Sequence, residues 1–349
     1  MNWMIYGANG YTGELIAREA VRCGLRPVLA GRSRDRVMAL AQELGLEARV
    51  FGLDDAAQLT AQIRGNTLVM HCAGPFSATA QPMMEACLQA GAHYLDITGE
   101  IAVFELAQSL AAQARQKGVV ICPGVGFDVI PTDCVAATLK AALPDATHLA
   151  LGFDANLGLS PGTAKTSVEG LAQGGKVRRD GKIVTVPLAY KVRRIDFGNG
   201  EKTAMTIPWG DVSTAYHTTG IPSIEVFIPG ARSMVMGTKL ANLFRPLLGL
   251  AAVQRFLKKR IAGSVKGPDE ASRAQSSTYV WGEARNARGE TKTARIRTIN
   301  PYSLTIFSAL AVVDHLLKNQ PAGGAYTPAK LVGADLVTRL PDSGAMQVS

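Results

Sequence analysis

The stretch Asn2-Trp3-Met4-Ile5-Tyr6-Gly7-Ala8-Asn9-Gly10-Tyr11-Thr12-Gly13 decides the fold. An apolar, strand-like run at 2–6 leads into glycines at Gly7, Gly10 and Gly13, and a helical pattern follows at 11–23. The spacing fits GxxGxxG, a variant of the loop with which a βα unit holds the diphosphate of a dinucleotide. In that geometry Gly7 permits the tight turn, Gly10 lets the backbone approach the diphosphate, and Gly13 lets the helix pack on the strand. The helix N-terminus then meets the phosphates with N–H groups and a favourable dipole. A glycine-rich turn without a ligand would carry the same letters, so the flanking pattern has to separate the two.

Outward from the loop, strand-like runs at 2–6, 26–31, 47–51, 67–72, 92–95 and 118–122 alternate with helical ones at 11–23, 34–44, 55–63, 79–90 and 101–117. Such alternation is the βαβ series of a parallel sheet, and six strands are what a complete doubly wound Rossmann domain requires. Residues 1–125 are read as that domain. From Gly126 the texture changes. A helix is expected after Pro131 to about Leu143. β-like segments follow at 147–155, 183–196, 203–208, 222–228, 276–286 and 291–299, the last two joined as a hairpin through Asn286–Gly289. Few helices among many strands predict a second, α+β sheet domain over 126–300. The fold class expected is therefore α/β, a Rossmann sheet plus that second domain. A helical stretch covers 232–261 with a break at Pro246, and a last helix is expected at 302–318.

The end of the second strand bears on the choice of cofactor. An NAD site usually places Asp or Glu there for the ribose 2′-hydroxyl. Here the residues are Leu29-Ala30-Gly31-Arg32-Ser33-Arg34, with no acid. Arg32 suits bidentate pairing with a 2′-phosphate and the Ser33 hydroxyl adds a hydrogen bond, which favours NADP. The plain alternative is a solvated arginine in a βα loop. Asn9, Tyr11, Thr12 and Asp54 complete the residues expected around the cofactor. After the fourth strand, Cys72-Ala73-Gly74-Pro75-Phe76 would run Ala73, Gly74 and Pro75 close beneath the nicotinamide ribose, with Phe76 as a wall for the ring; the alternative is an ordinary Gly-Pro turn.

Composition excludes several classes. The chain has 349 residues, 47% hydrophobic and 19% charged, which is globular rather than disordered. Its 37 basic against 28 acidic residues give +9, which favours anionic partners. The cations are scattered, aromatics are 6%, and no nucleic-acid motif is present, so a solvated basic face is expected and no nucleic-acid partner. Five cysteines (Cys23, Cys72, Cys87, Cys122 and Cys134) show no CxxC pair, which fits a reducing compartment. The first residues lead straight into a strand and no run of 18 apolar residues occurs, so the expected location is cytoplasmic. Dispersed histidines and the lack of HExxH leave no metal site expected.

Hydride chemistry belongs to the cofactor, and the protein must hold the substrate and handle a proton. Candidates stand in loops after strands: Tyr94, Asp96, Thr98 and Glu100 after the fifth, Asp128 and Asp133 after the sixth. A carboxyl there, raised in pKa by burial, could act as general acid, with Asp128 and Glu100 foremost. Asp96 and Asp133 have the alternative role of capping a helix. Lys165 and His217 are further candidates from the second domain, each equally at home as a structural or solvated residue. The stretch Arg232–Arg260 sets Met236, Leu240, Leu243, Phe244 and Leu247 at helical spacing among cations. It reads chiefly as core or a dimer face; a wall for a lipid-like substrate, an acyl-carrier contact and a peripheral membrane helix are the other readings.

Taken together, Gly7–Gly13 (GANGYTG), Ala30–Ser33 (AGRS), Ala73–Phe76 (AGPF), Gly91–Glu100 (GAHYLDITGE), Pro123–Asp133 (PGVGFDVIPTD) and Pro161–Gly170 (PGTAKTSVEG) resemble the saccharopine dehydrogenase family. The closing PYSLTIFSAL and TPAKLVGAD stretches add to this. More closely, they resemble its saccharopine dehydrogenase-like oxidoreductases and the trans-acting enoyl reductases grouped with them. The resemblance implies a Rossmann domain, a sheet-based second domain that often dimerises, and a C-terminal segment, 301–349, returning to the first domain. Arginines of the second domain form no recognisable carboxylate clamp, and the region is apolar. The expected function is thus NADPH-dependent reduction of a C=C or C=N bond in an apolar or acyl-type small molecule. A saccharopine- or opine-type amino-acid dehydrogenase and a non-catalytic NADP(H) sensor are the alternatives.

Overall fold

The computed structural model describes residues 2–155, 170, 172–256 and 276–349. Two compact units divide the chain: residues 1–130 with 302–333, and residues 131–301 with 334–349.

In the first unit, β1 (Trp3–Tyr6), β2 (Val28–Gly31), β3 (Ala48–Val50), β4 (Leu68–His71), β5 (His93–Asp96) and β6 (Val120–Cys122) pair in the order β3-β2-β1-β4-β5-β6, every pair parallel. This is the doubly wound order, and it reverses between β1 and β4, where ligands settle in such sheets. The central strands read as unbroken apolar runs because helices cover both faces: β1 is WMIY and β4 is LVMH, each buried throughout. The helices are α1 (Tyr11–Arg22), α2 (Arg34–Leu44), α3 (Ala56–Ile63), α4 (Phe76–Ala90), α5 (Ile101–Ser109) and α6 (Ala111–Lys117). α1 buries Gly13, Ile16, Ala17 and Ala20, a stripe of mostly small residues that lets it lie close to the sheet. Asp55 starts α3 by accepting from the Ala57 and Gln58 N–H groups, both at 3.0 Å.

The expected helix over 101–117 is two helices, parted at Leu110, whose N–H is shared between the Leu106 and Ala107 carbonyls at 3.2 Å each. The chain's last part divides. From Tyr302 onward most of the long helix over Pro301–Lys318 belongs to the first unit, and Gly324–Ala325 adds a seventh parallel strand beside β6. Residues 334–349 belong to the second unit, where Gln347–Val348 pairs with the strand over Thr291–Ile299.

Among the described residues the second unit holds a mixed sheet of nine strands. Its spine is β7 (Ala146–Ala155), flanked by the parallel strand Ser223–Pro229 and the antiparallel strand Ser277–Asn286. The helix α7 (Ile130–Ala142) packs on the sheet where Gly282 leaves room: a Cβ there would stand 2.6 Å from Val135 and 2.8 Å from Leu139. The expected strand over 183–196 is two strands, Lys182–Val186 and Val192–Asp196. The first of them pairs with Gly175–Arg179 in a hairpin, and a helix α8 occupies Asp211–Thr219. The expected helix over 232–261 is a broken run: a helix over Arg232–Ala241, a tighter turn over Asn242–Phe244, a short helix over Arg245–Leu248 that holds Pro246 in its first turn, and helical residues 251–256, while 257–261 lie outside the described residues.

Candidate cofactor and proton-transfer site

Three glycines shape the loop after β1, each for its own reason. Gly7 has φ of +81°, open to glycine at no steric cost, and its N–H donates to the Ala30 carbonyl at 2.8 Å. A Cβ on Gly7 would stand 2.7 Å from the Ala73 nitrogen, so the loops after β1 and β4 touch here. A Cβ on Gly13 would run into the Gly7 carbonyl oxygen. Gly10 differs, because the nearest atom a Cβ there would meet is the Gly7 oxygen at 3.2 Å. Protein packing alone thus requires Gly7 and Gly13, while the space over Gly10 is open. α1 starts at Gly10 with no side-chain cap, so its first turn offers backbone N–H groups toward that space. An uncapped turn over an open glycine cradle fits a diphosphate.

The ribose end is built from β2 and β3. Arg32 and Ser33 are exposed just past β2, and no acid stands among them. The Tyr6 hydroxyl donates to the Phe51 carbonyl at 3.1 Å. Burial pushes its pKa up to about 12, with the Arg32 cation opposing and the Asp54 carboxylate adding to the rise. Arg32 and Asp54 therefore lie within electrostatic reach of one hydroxyl. The Asn9 side chain lies over Gly31, where a Cβ would come to 2.8 Å of Oδ1, and Arg36 donates to the Asn9 carbonyl at 2.9 Å. Arg36 is a loop-bracing residue that sequence reading missed. If Arg32 carries the preference for a 2′-phosphate, Arg32→Asp should weaken NADPH binding by about 1–3 kcal/mol and leave NADH nearly unchanged. Calorimetric titration of both cofactors reads this.

Three further loops converge at the ends of β4, β5 and β6. Phe76 opens α4 and meets the buried His71 ring edge-on at 5.4 Å. Burial holds the His71 pKa down to about 3, so this imidazole is neutral. Glu100 reaches the start of the same helix: its two carboxylate oxygens accept the Phe76 N–H at 3.1 Å and the Ser77 N–H at 2.7 Å. Asp96 is fully buried and accepts from the Tyr94 hydroxyl at 2.6 Å, the Thr98 N–H at 2.9 Å and the Gly124 N–H at 2.8 Å. It thereby clips the β5 loop to the β6 loop. The Asp128 carboxylate packs over Gly99, where a Cβ would stand 2.7 Å from its Oδ2. Burial raises the Asp128 pKa to about 7 and the Asp96 pKa to about 6. The long C-terminal helix closes the cluster: Thr305 accepts the Phe127 N–H at 3.0 Å, and Tyr302 meets Tyr11 edge-on at 5.3 Å.

This geometry reassigns several residues singled out in the sequence. Glu100 is a helix cap: its oxygens are engaged as acceptors at a helix N-terminus, which suits a standing carboxylate rather than a proton donor. Glu100→Ala should lower stability by about 1–2 kcal/mol in denaturant unfolding, the range for losing such a cap. Tyr94 is wholly buried, its hydroxyl committed to Asp96 and its pKa pushed well above the ordinary tyrosine value by burial. It supports the site and does not face it. His217 sits half-buried on α8 of the second unit, its ring 5.5 Å from that of Tyr216. Lys165 and the PGTAKTSVEG stretch up to Glu169 lie outside the described residues. Asp133, on α7, accepts a hydrogen bond from Thr218. Asp128 is the foremost candidate that stays half-buried at the meeting of these loops.

Among the described residues no group of three or more His, Cys, Asp or Glu side chains could hold a metal ion, and no helix is long and apolar enough to cross a membrane. A groove of about 310 Å³ crosses the second unit's sheet at Lys191, Arg193, Glu225, Phe227 and Glu283. Its central charges pair with one another, Arg193 with Glu283 at 3.0 Å and Lys191 with Glu225, and it holds none of the residues discussed above.

Comparison with known proteins agrees with the loop geometry. Residues 3–122 match the model of the saccharopine dehydrogenase NADP binding domain. The chain is 29% identical over 150 residues to a saccharopine dehydrogenase-like oxidoreductase of Homo sapiens, a stretch covering 37% of this chain and 35% of that protein. It is 35% identical over 138 residues to a trans-acting enoyl reductase of Mycobacterium bovis, covering 37% and 33%. The matched stretch spans about a third of the length of these curated relatives. Among solved structures it is similar to apo histidine-tagged saccharopine dehydrogenase (L-Glu forming) from Saccharomyces cerevisiae, with a TM-score of 0.67 at 12% identity over 100% of this chain and 99% of that one, a likeness of fold. The glycine loop, the β2 terminus and the six parallel strands β1 to β6 lie within residues 3–122, the stretch that matches the saccharopine dehydrogenase NADP binding domain, and NADP is the cofactor of this unit.

Proposed function

We propose that this protein is an NADPH-dependent oxidoreductase that reduces a C=C or C=N bond of an apolar or acyl-type substrate, with Asp128 supplying the proton. The observation that carries the proposal is the placement of Asp128. Its carboxyl is packed against the Gly99 backbone and titrates at about 7, within one unit that also holds the glycine loop and the AGPF loop. A carboxyl titrating near neutrality can both hold a proton and release it. Asp96 titrates nearby but is sealed from solvent, whereas Asp128 is half-buried, so Asp128 is the better placed of the two.

Bound at the glycine loop, the cofactor supplies the hydride. The chain's own residues do the rest. Gly10 and the first turn of α1 receive the diphosphate, and Arg32 receives the 2′-phosphate. Glu100 and Asp96 hold the loops that present Asp128. Relatives named trans-acting enoyl reductase favour a C=C bond over a dicarboxylic amino acid.

The test is oxidation of NADPH followed by absorbance. Enoyl thioesters form one arm, and imines from 2-oxo acids with amines form the other. Turnover of enoyl thioesters supports the reading. Turnover confined to the imine arm would replace it with an amino-acid-type dehydrogenase, and tight NADPH binding without turnover in either arm would favour a sensor.

A further inference from the structure

Of the large apolar side chains exposed in the described structure, most fall between Met234 and Phe256, where the helical run Arg232–Ala241, Asn242–Phe244 and Arg245–Leu248 continues into residues 251–256. The run is inverted relative to an ordinary surface helix. The stripe turned to the protein carries Val235, Thr238, Asn242 and Arg245. Val235 packs with Ala189 and Met205, Asn242 exchanges hydrogen bonds with the Leu188 backbone at 2.7 and 3.1 Å, and the Arg245 guanidinium lies against Gly174. The opposite stripe carries Met236 (72% exposed), Leu240, Leu243 (74%), Phe244, Leu247 and Leu250. Successive members lie one to four residues apart along the helical run, and all six are exposed on the side away from Val235, Asn242 and Arg245. Polar side chains turned inward and Met, Leu and Phe turned outward indicate a face that awaits an apolar partner.

Charge selects that partner. Arg232, Lys239 and Arg255 are exposed along the run, and no Asp or Glu occurs in the sequence between Glu225 and Asp269. A second copy of the chain pairing through this face would bring like charges together. A row of apolar side chains edged by lysine and arginine, with no acid, has the composition of a helix lying in the plane of an anionic lipid surface.

We propose that the segment 232–256 docks on an anionic phospholipid surface, with Met236, Leu240, Leu243, Phe244, Leu247 and Leu250 entering the acyl boundary and the cations meeting lipid phosphates. This stands independently of the reaction assigned above.

Vesicle flotation tests it with the full chain. Vesicles of phosphatidylcholine with phosphatidylglycerol should carry the protein, and phosphatidylcholine alone should carry far less. Binding should weaken as salt is raised, since the cations act through screened charges. The double variant Leu243→Glu with Leu247→Glu should lower vesicle binding about tenfold or more. Its circular dichroism and NADPH affinity should match the parent, because both side chains point away from the protein. Failure of the parent to bind anionic vesicles at low salt, or unchanged binding by the double variant, would overturn the proposal. So would lipid-free sedimentation showing a dimer that the double variant dissolves, since the face would then belong to a second copy.

Discussion

Gly10→Val should abolish dinucleotide binding while leaving the fold in place. The expectation rests on the difference among the three loop glycines. A side chain on Gly7 or Gly13 would strike the protein's own backbone, so those substitutions would confound binding with folding. Gly10 has an ordinary φ of −85°, and an added Cβ would meet only the Gly7 oxygen at 3.2 Å, which calls for a shift of a few tenths of an ångström. The branched side chain would instead fill the open space before the first turn of α1. Losing the diphosphate contacts should weaken NADPH by at least about 100-fold, roughly 3 kcal/mol. Calorimetry with NADPH, beside circular dichroism and a thermal melt, reads both halves. Parental affinity in Gly10→Val would reduce the glycine run to a turn.

Asp128→Asn should lower turnover by about 10²–10⁴-fold, the usual contribution of a positioned proton donor, with NADPH affinity nearly unchanged. The pH dependence has a definite sign. A donor must be protonated to act, and burial sets the Asp128 pKa at about 7, so turnover should hold below that value and fall as pH rises through it. In Asp128→Asn that limb should vanish along with most of the rate. The substitution is nearly isosteric above Gly99, so a folding defect is not expected, and a melt compared with the parent checks this. More than a tenth of parental turnover, with the alkaline limb intact, would remove Asp128 from the role.

Much of the first unit was legible because parallel-sheet strands are buried on both faces and read as short apolar runs between amphipathic helices. The glycine loop and the βαβ series agree with each other, and the doubly wound order follows from them. The second unit hid more. Lys176, Arg178 and Arg179 look like a solvated patch, yet Arg178 is only 5% exposed. Its guanidinium donates to the Val212 and Gly181 carbonyls and lies over the Tyr216 ring at 4.2 Å, so it serves as an internal brace. The clue was Asp180-Gly181, both at positive φ, a two-residue turn that closes a hairpin. α8 was missed because its Thr- and β-branched-rich sequence has weak helix propensity, and tertiary burial of Val212 and Ala215 sustains it.

The site was legible at its glycines and obscure at its carboxylates. Several acids after strands look equivalent as letters. Partners far away in the chain assign their tasks: Glu100 caps a helix whose first residues precede it by 23 and 24 positions, and Asp96 holds Gly124, 28 positions on. Asp96 did carry a local signal, since Asp followed two residues later by Thr98 is the pattern of a side chain bonding its own turn. No local signal marks Glu100 as a cap.

The first unit is a Rossmann sheet with a loop set suited to NADP, and the dissociation constants of NADPH and NADH for the unaltered protein check this. With Arg32 at the end of β2 and no acid beside it, NADPH should bind at least about tenfold more tightly, and the gap should narrow as salt screens the 2′-phosphate. Equal constants for the two cofactors, or a preference for NADH, would remove Arg32 from the role of 2′-phosphate partner and the unit from the NADP-binding class.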